Sequence, residues 1–238
     1  MLTVNDFECA VNNAAKKIAP FGDTVVKDLS LDKDTKLFFV GGLVRDAVLG
    51  ELFGKQTEFK DMDIMLSKFP DLKNNSNITW MRKNSLGGIK LKTKNIGIMD
   101  IFQQRADSVS YVQYVVGDTF DFNCNSIYYY HNKKQIKASN HFYDFIVNNK
   151  IGLEKFVYTK DGFQCMYSPH SVVSRALKFK IKFSEQYGIN VNLSGDILLL
   201  LYHLDNDEEQ KMFDYTKRKV ASPELQKKII DEYKKLRC

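Results

Sequence analysis

One stretch near the N-terminus constrains the fold of this 238-residue chain more than any other. Residues 37–46 read LFFVGGLVRD, in which an apolar run typical of a buried strand meets two glycines and then a helix-like segment. Residues 60–66 read KDMDIML, a second apolar segment that carries two aspartates one residue apart. The two segments therefore outline a strand, a tight glycine turn, a short helix and a second strand.

The two aspartates could form a cation site, although taken alone they could also simply flank a solvated edge strand. Side chains at positions i and i+2 of a strand point to the same face, so we expect Asp61 and Asp63 to project together while Met62 faces the core. Mg²⁺ prefers oxygen ligands between carboxylates and substrate phosphates, and two such ions can clamp an in-line phosphoryl displacement. The paired Gly41 and Gly42 leave backbone N–H groups and a helix N-terminus facing outward, which suits triphosphate oxygens.

In this order and at this spacing, the two segments resemble the head domain of the class II CCA-adding enzymes and bacterial poly(A) polymerases, within the polymerase β-like nucleotidyltransferases. The resemblance lies in the family's GGxVRD motif and in its DxD strand. It implies an α+β fold, in which a mixed sheet with flanking helices is followed by a helical neck and C-terminal helices. The implied head domain spans residues 1–150, and the neck and C-terminal extension span 151–238.

The resemblance also assigns roles to single residues. Residues 97–105, GIMDIFQQR, resemble the strand that delivers the family's third carboxylate, which places Asp100 beside the first pair and Arg105 near the substrate phosphates. The implied catalytic and metal-binding residues, which would hold two Mg²⁺ ions, are Asp61, Asp63 and Asp100. The implied nucleotide-binding residues are Gly41, Gly42, Arg45, Asp46, Arg105, Asp121 and Asn125.

The segment around Asp121 matches its family motif only in part. Residues 120–127 resemble RRDFTINA and keep Asp121, Phe122 and Asn125. Thr119 and Phe120 stand where the family has two arginines, so the usual contacts to the incoming nucleotide are incomplete.

The neck segment departs further. Residues 168–179 resemble the motif EDxxRxxRAxRF and keep its second arginine, Arg175. Ser168, Pro169 and Val172 replace the side chains that read the incoming base in the family, so CCA specificity is not implied. Residues 162–184 nevertheless contain four basic side chains and no acid, and the chain carries a formal charge of +6, which fits an RNA-binding surface. The candidate RNA-binding residues on this neck are Arg175, Lys178 and Lys182.

These features predict an enzyme that transfers NMP from an NTP such as ATP to an RNA 3′ end and releases pyrophosphate, with tRNA as one candidate acceptor. Two other functions stay open. The same chemistry could modify a protein or a small molecule, as in toxin-like and antibiotic-modifying relatives, and the chain's shorter length and altered neck motif favour this over CCA repair. The third reading is a non-catalytic RNA-binding relative, although three converging carboxylates would repel one another without a cation. Arg45, Asp46, Asp121 and Asn125 could equally brace the fold.

Periodicity and turn residues predict the remaining elements. Helices are expected over residues 5–19, ending before Pro20, and over 44–49, 170–187, 195–204, 207–219 and 223–236. Strands are expected over 36–40, 62–66, 79–82, 88–92, 98–102, 126–130 and 134–137. Residues 178–183 alternate like a strand, but the resemblance places them in the neck helix. The four scattered cysteines and the lack of a leader or a long apolar run predict a cytoplasmic protein with no membrane segment.

Overall fold

The computed structural model describes residues 3–57, 61–84, 88–102, 108–118, 120–153, 156–159, 162–165 and 168–237. The helices are α1 (Val4–Asp28), α2 (Gly42–Phe53), α3 (Val109–Asp118), α4 (Asn140–Asn148), α5 (Pro169–Tyr187), α6 (Gly195–His203), α7 (Asn206–Lys219) and α8 (Pro223–Arg237). The strands are β1 (Leu37–Val40), β2 (Asp61–Leu66), β3 (Ile78–Lys83), β4 (Ile89–Thr93), β5 (Ile98–Phe102), β6 (Ile127–Tyr130), β7 (Gln135–Ala138), β8 (Lys150–Ile151), β9 (Phe156–Thr159), β10 (Gly162–Cys165) and β11 (Asn192–Leu193).

The chain folds into two compact units. The first comprises Met1–Asp118 and Asn125–Phe142, and the second comprises Thr119–Cys124 and Tyr143–Cys238. The sequence-based division into residues 1–150 and 151–238 stays a prediction. None of the helices in the described ranges is both long and apolar enough to cross a membrane.

The first unit is built on a seven-stranded sheet in the order β3-β4-β5-β2-β1-β6-β7. The pair β2 and β5 is parallel, whereas the other neighbours in this sheet are antiparallel. Helix α2 packs against β1, β2, β6 and α1, and α3 packs against β6. The predicted α+β class with a mixed sheet is therefore confirmed.

One face of this sheet is apolar from β4 to β2. Leu91, Met99 and Met62 are in register across the three strands, and all three are buried. Met62 therefore faces the core, as predicted. Because successive side chains of a strand alternate between faces, the residues on either side of this row lie on the opposite face. That opposite face carries the candidate site.

The prediction that the first helix ends before Pro20 is wrong. Helix α1 continues to Asp28 with Pro20 in its interior, and Ile18, Gly22 and Val25 are buried on both sides of it. A proline inside a helix costs about 3 kcal/mol, and burying one large aliphatic side chain returns roughly 1.5–3 kcal/mol. Packing along the apolar stripe of α1 thus offsets the local penalty.

The second unit is mainly helical. Helix α5 packs against α6, α7 and α8, and the rings of Phe179 and Phe183 stack at 5.7 Å between centroids. Inside the bundle, the hydroxyls of Ser174 and Thr216 share a hydrogen bond of 2.7 Å. Residues 178–183 belong to α5, so their predicted helical state is confirmed. Helices α3 and α4 were not predicted from the sequence. The valines of α3 favour strands by intrinsic propensity, but burial of Val112, Val115 and Val116 along one side of the helix outweighs that preference.

Candidate active site

The parallel strands β2 and β5 bring two of the predicted carboxylates together. Asp63 and Asp100 are register partners, so their side chains lie on the same face of the sheet, on strands about 4.8 Å apart. Both are only partly buried, whereas the neighbouring Met62 and Met99 point into the core. Asp61, two residues before Asp63 on β2, pairs with Ile98 of β5. The structure describes Asp61 by its backbone only. The roles of these three aspartates in catalysis and metal binding stay a prediction.

Asp100 has two polar neighbours that the sequence analysis missed. Lys90 is its register partner on β4, and the Lys90 Nζ lies 2.9 Å from Asp100 Oδ2. Asn84 Nδ2 donates a hydrogen bond of 3.1 Å to Asp100 Oδ1, while Asn84 Oδ1 accepts from the Gly88 N–H at 2.7 Å. The alternation of residues 89–92 could have placed Lys90 on the polar face, but only the strand order places it beside Asp100.

This donor set suits a hard divalent cation. Two carboxylates at register positions of adjacent strands offer several oxygens on one face, and such oxygens are the ligands that Mg²⁺ prefers. Among the side chains that the structure describes, no three His, Cys, Asp or Glu form a group that could hold a metal ion, and Asp61 is outside that set. Lys90 places a positive charge next to Asp100 on the same face.

The glycine pair begins one residue after the partner of Asp63. Val40 of β1 pairs with Asp63, and Gly41 follows it with φ 66° and ψ −125°, a conformation that only glycine adopts readily. Gly41 is the N-cap of α2, and no described side chain caps this helix end. The free N–H groups of the first turn therefore begin beside the carboxylate strand. Binding of a nucleotide by Gly41 and Gly42 stays a prediction.

Arg45 and Asp46 connect this turn to the segment before β6. Arg45 Nε lies 2.8 Å from Asp46 Oδ1, and Arg45 Nη1 donates to Asn125 Oδ1 at 2.6 Å. The Arg45 side chain is only 4% exposed, so its charge is held within the protein. The contacts show a bracing network, and nucleotide binding by these three residues stays a prediction.

Asp121 lies in the second unit and forms an ion pair with Arg175 of α5. The guanidinium of Arg175 also lies over the Phe122 ring, 5.3 Å from its centroid. Arg175, predicted to bind RNA, therefore has an intramolecular partner. Arg105 lies outside the described residues.

The other basic residues of the neck also have neighbours within the second unit. Lys180 forms an ion pair with Glu232 of α8, and Lys178 Nζ lies 5.4 Å from the centroid of the Phe179 ring. The segment that lacks acids in the sequence is thus partly neutralised by acids from elsewhere in the chain. RNA binding by Arg175, Lys178 and Lys182 stays a prediction.

Strand β6 carries three consecutive tyrosines. Tyr128, Tyr129 and Tyr130 are all buried, and Tyr130 stacks on Phe38 with 4.6 Å between centroids. Burial raises the pKa of Tyr129 to about 12. All three tyrosines therefore belong to the core.

The fold is similar to that of solved CCA-adding enzymes over about 93% of the chain. An apo CCA-adding enzyme matches 94% of this chain with 50% of its own length, at TM-score 0.57 and 16% identity. The Thermotoga maritima CCA-adding enzyme complexed with tRNA matches 93% of this chain with 50% of its own, at TM-score 0.52 and 15% identity. A tRNA nucleotidyltransferase complexed with a primer tRNA and an incoming ATP analog matches 90% of this chain with 60% of its own length, at TM-score 0.51 and 16% identity.

The chain spans about half the length of most of these structures. No protein-family model and no curated protein matches the sequence. At this level of identity, the likeness shows a shared fold.

Proposed function

We propose that this chain is a metal-dependent nucleotidyltransferase that transfers NMP from an NTP to the 3′ end of an RNA. The observation that carries the proposal is the register of Asp63 with Asp100 on parallel strands, directly beside the glycine turn that opens α2. A carboxylate pair for a divalent cation and a helix N-terminus for phosphate oxygens are the two elements that phosphoryl transfer needs. The fold shared with nucleotidyltransferases supports the same proposal.

In the proposed reaction, the 3′-hydroxyl oxygen of the acceptor attacks the α-phosphorus of the NTP. The new oxygen–phosphorus bond forms as the bond to the bridging oxygen breaks, and pyrophosphate leaves. Bound Mg²⁺ would neutralise the phosphate charge and ease loss of the hydroxyl proton. Asp61, Asp63 and Asp100 would hold the ions.

The remaining residues position the substrates. The N–H groups after Gly41 bind phosphate oxygens, and Arg45 keeps Asp46 and Asn125 in place behind the turn. Asn84, itself held by the Gly88 backbone, orients the Asp100 carboxylate. Most of the rate enhancement in such a reaction comes from positioning and charge stabilisation.

The test is incubation of the pure protein with each labelled NTP, Mg²⁺ and total RNA, followed by identification of the labelled molecule. Asp63→Asn should reduce incorporation at least a hundred-fold, because a carboxylate that holds a catalytic ion is lost. Asp34→Asn changes an exposed aspartate of the same unit and should leave incorporation unchanged. Incorporation that persists in a folded Asp63→Asn variant would refute the proposed site.

A second candidate is the same transfer to a protein or small-molecule acceptor. It is favoured by Ser168, Pro169 and Val172, which replace the base-reading side chains of the related neck motif. The same experiment separates the two, because the label would then appear on a protein or a small molecule and not on RNA.

A further inference from the structure

The open edge of the seven-stranded sheet is basic and lies next to the carboxylates. Strands β3 and β4 contain four Lys or Arg side chains and no acid. Arg82 of β3 pairs with Lys90 of β4, which pairs with Asp100, which pairs with Asp63. Because register partners share a face, one row of side chains runs from the edge of the sheet to the carboxylate pair. Its charges change from positive at the edge to negative at the candidate active site.

A second row runs beside the first on the same face. Trp80 pairs with Lys92, which pairs with Ile98, the partner of Asp61. The Trp80 side chain is 42% exposed, and Ile98 is 38% exposed. The guanidinium carbon of Arg82 lies 5.1 Å from the centre of the Trp80 ring, so the cation and the ring form a pair on the surface.

This arrangement is not explained by protection of the sheet edge. Charged side chains are a common means of keeping an exposed edge strand from pairing with another chain, whereas an exposed tryptophan adds an apolar surface to that edge. Aromatic rings between basic side chains are instead typical of surfaces that bind single-stranded nucleic acid, because bases stack on the rings and phosphates contact the cations.

We propose that Trp80, Arg82 and Lys92 form a platform that binds the unpaired 3′ segment of an RNA acceptor. A base stacks on the exposed Trp80 ring, while Arg82 and Lys92 contact the flanking phosphates. The proposal deepens the proposed function, since it names single-stranded RNA as the substrate class and gives it a binding surface beside Asp63 and Asp100.

The distances suit such an acceptor. Neighbouring strands lie about 4.8 Å apart, so β3 is roughly 10 Å from the Asp100 strand and roughly 14 Å from the Asp63 strand. A stacked strand advances about 3.4 Å per nucleotide, so three or four nucleotides cover this interval. The platform therefore contacts the acceptor a few nucleotides before the reacting 3′-hydroxyl.

The chain carries its own probe, because Trp80 is its only tryptophan. Titration of the full chain with a single-stranded RNA octanucleotide should quench the tryptophan fluorescence through stacking. The same concentration of inorganic phosphate should leave the fluorescence unchanged.

Five variants separate the two faces of β3. Trp80→Ala should weaken octanucleotide binding about ten-fold or more, measured with labelled RNA by anisotropy, and Trp80→Phe should keep most of the affinity. Met81→Ala is the matched control, because Met81 is 41% exposed but lies on the opposite face. Arg82→Gln should reduce the magnitude of the slope of log affinity against log salt concentration by about 0.7, because one phosphate contact is lost. Lys83 lies on the opposite face, so Lys83→Gln should bind RNA like the unmodified chain at the salt concentration of the Trp80 assay.

Octanucleotide binding without quenching, or equal affinity in Trp80→Ala and Met81→Ala, would overturn the platform. Quenching by an acceptor protein in place of RNA would overturn it as well. The proposed function fails separately. One outcome is that no NTP is incorporated, yet RNA quenches Trp80 fluorescence and Trp80→Ala weakens RNA binding; the platform then stands without transferase activity. The other outcome is that incorporation needs Asp63, yet Trp80→Ala binds RNA and reacts normally; only the platform is then wrong.

Discussion

Replacement of Lys90 by methionine should tighten the binding of a divalent cation by about five-fold. The Lys90 ammonium lies 2.9 Å from Asp100 Oδ2, next to the position where the proposed site holds its ions. A cation that binds Asp100 must either displace this ammonium or share the carboxylate with it. Both routes cost free energy, and methionine removes the cost while keeping most of the side-chain volume.

The magnitude follows from the geometry of the pair. At 2.9 Å and an effective dielectric constant near 20, two unit charges attract by roughly 6 kcal/mol before desolvation and side-chain entropy are subtracted. The side chains are 23% and 17% exposed, and partly exposed pairs of this kind contribute about 1 kcal/mol net. A free energy of 1 kcal/mol corresponds to about a five-fold change in an equilibrium constant.

Calorimetric titration with MnCl₂ or MgCl₂ measures the change directly, without any substrate. In the absence of metal, Lys90→Met should also unfold in urea with about 1 kcal/mol less free energy, because the ion pair between Lys90 and Asp100 is lost. Lys92→Met is the matched control, since Lys92 lies two residues further along the same face of β4 and pairs with Ile98. Equal or weaker metal affinity in Lys90→Met would refute the argument that Asp100 is a ligand.

Three further outcomes test the fold around the site. Gly41→Ala should lower the free energy of unfolding by about 1–3 kcal/mol, because φ of Gly41 is 66°. Gly42→Ala should be tolerated, since the added Cβ lies 3.7 Å from its nearest neighbour. Urea unfolding of both variants measures the difference. Gly22→Ala should destabilise by about 1–3 kcal/mol, since the Cβ would overlap the His131 ring at 2.0 Å, and a thermal midpoint equal to that of the unmodified chain would contradict it. Burial lowers the pKa of His131 below its ordinary 6.5. The unfolded chain therefore binds the proton first, and the free energy of unfolding falls as pH drops below 6.5. His131→Asn should remove this contribution to the pH dependence of the free energy of unfolding, measured in urea between about pH 7.5 and 5.5.

Much of the architecture could be predicted because local patterns encode it. The strand at 98–102 was predicted with the bounds it has in the structure, and the hairpin of β6 and β7 around residues 132–133 follows from its turn residues. The last helix begins at Pro223, with the Ser222 hydroxyl accepting a hydrogen bond from the Leu225 N–H at 3.3 Å. In each case, residues adjacent in sequence determine the element and the face that it buries.

Other features depended on residues distant in the chain. Pro20 lies inside α1 because packing along the whole helix outweighs a local penalty. Arg45 meets Asn125, which is 80 residues away. Arg175 and Lys180 of the neck helix pair with acids on other segments of the chain, which no local count of charges could include. Lys90 belongs with Asp100 only because β4 is placed beside β5.

The sequence by itself thus determined the chemical identity of the candidate site: a glycine turn, a strand with two aspartates and a third aspartate on a later strand. The tertiary structure decided which of these groups are neighbours and how their charges are balanced. The physical reason is that side-chain alternation is a property of each strand, whereas register and strand order arise from long-range pairing. A basic, aromatic edge and a pair of carboxylates became one continuous surface only when β3, β4, β5 and β2 were aligned.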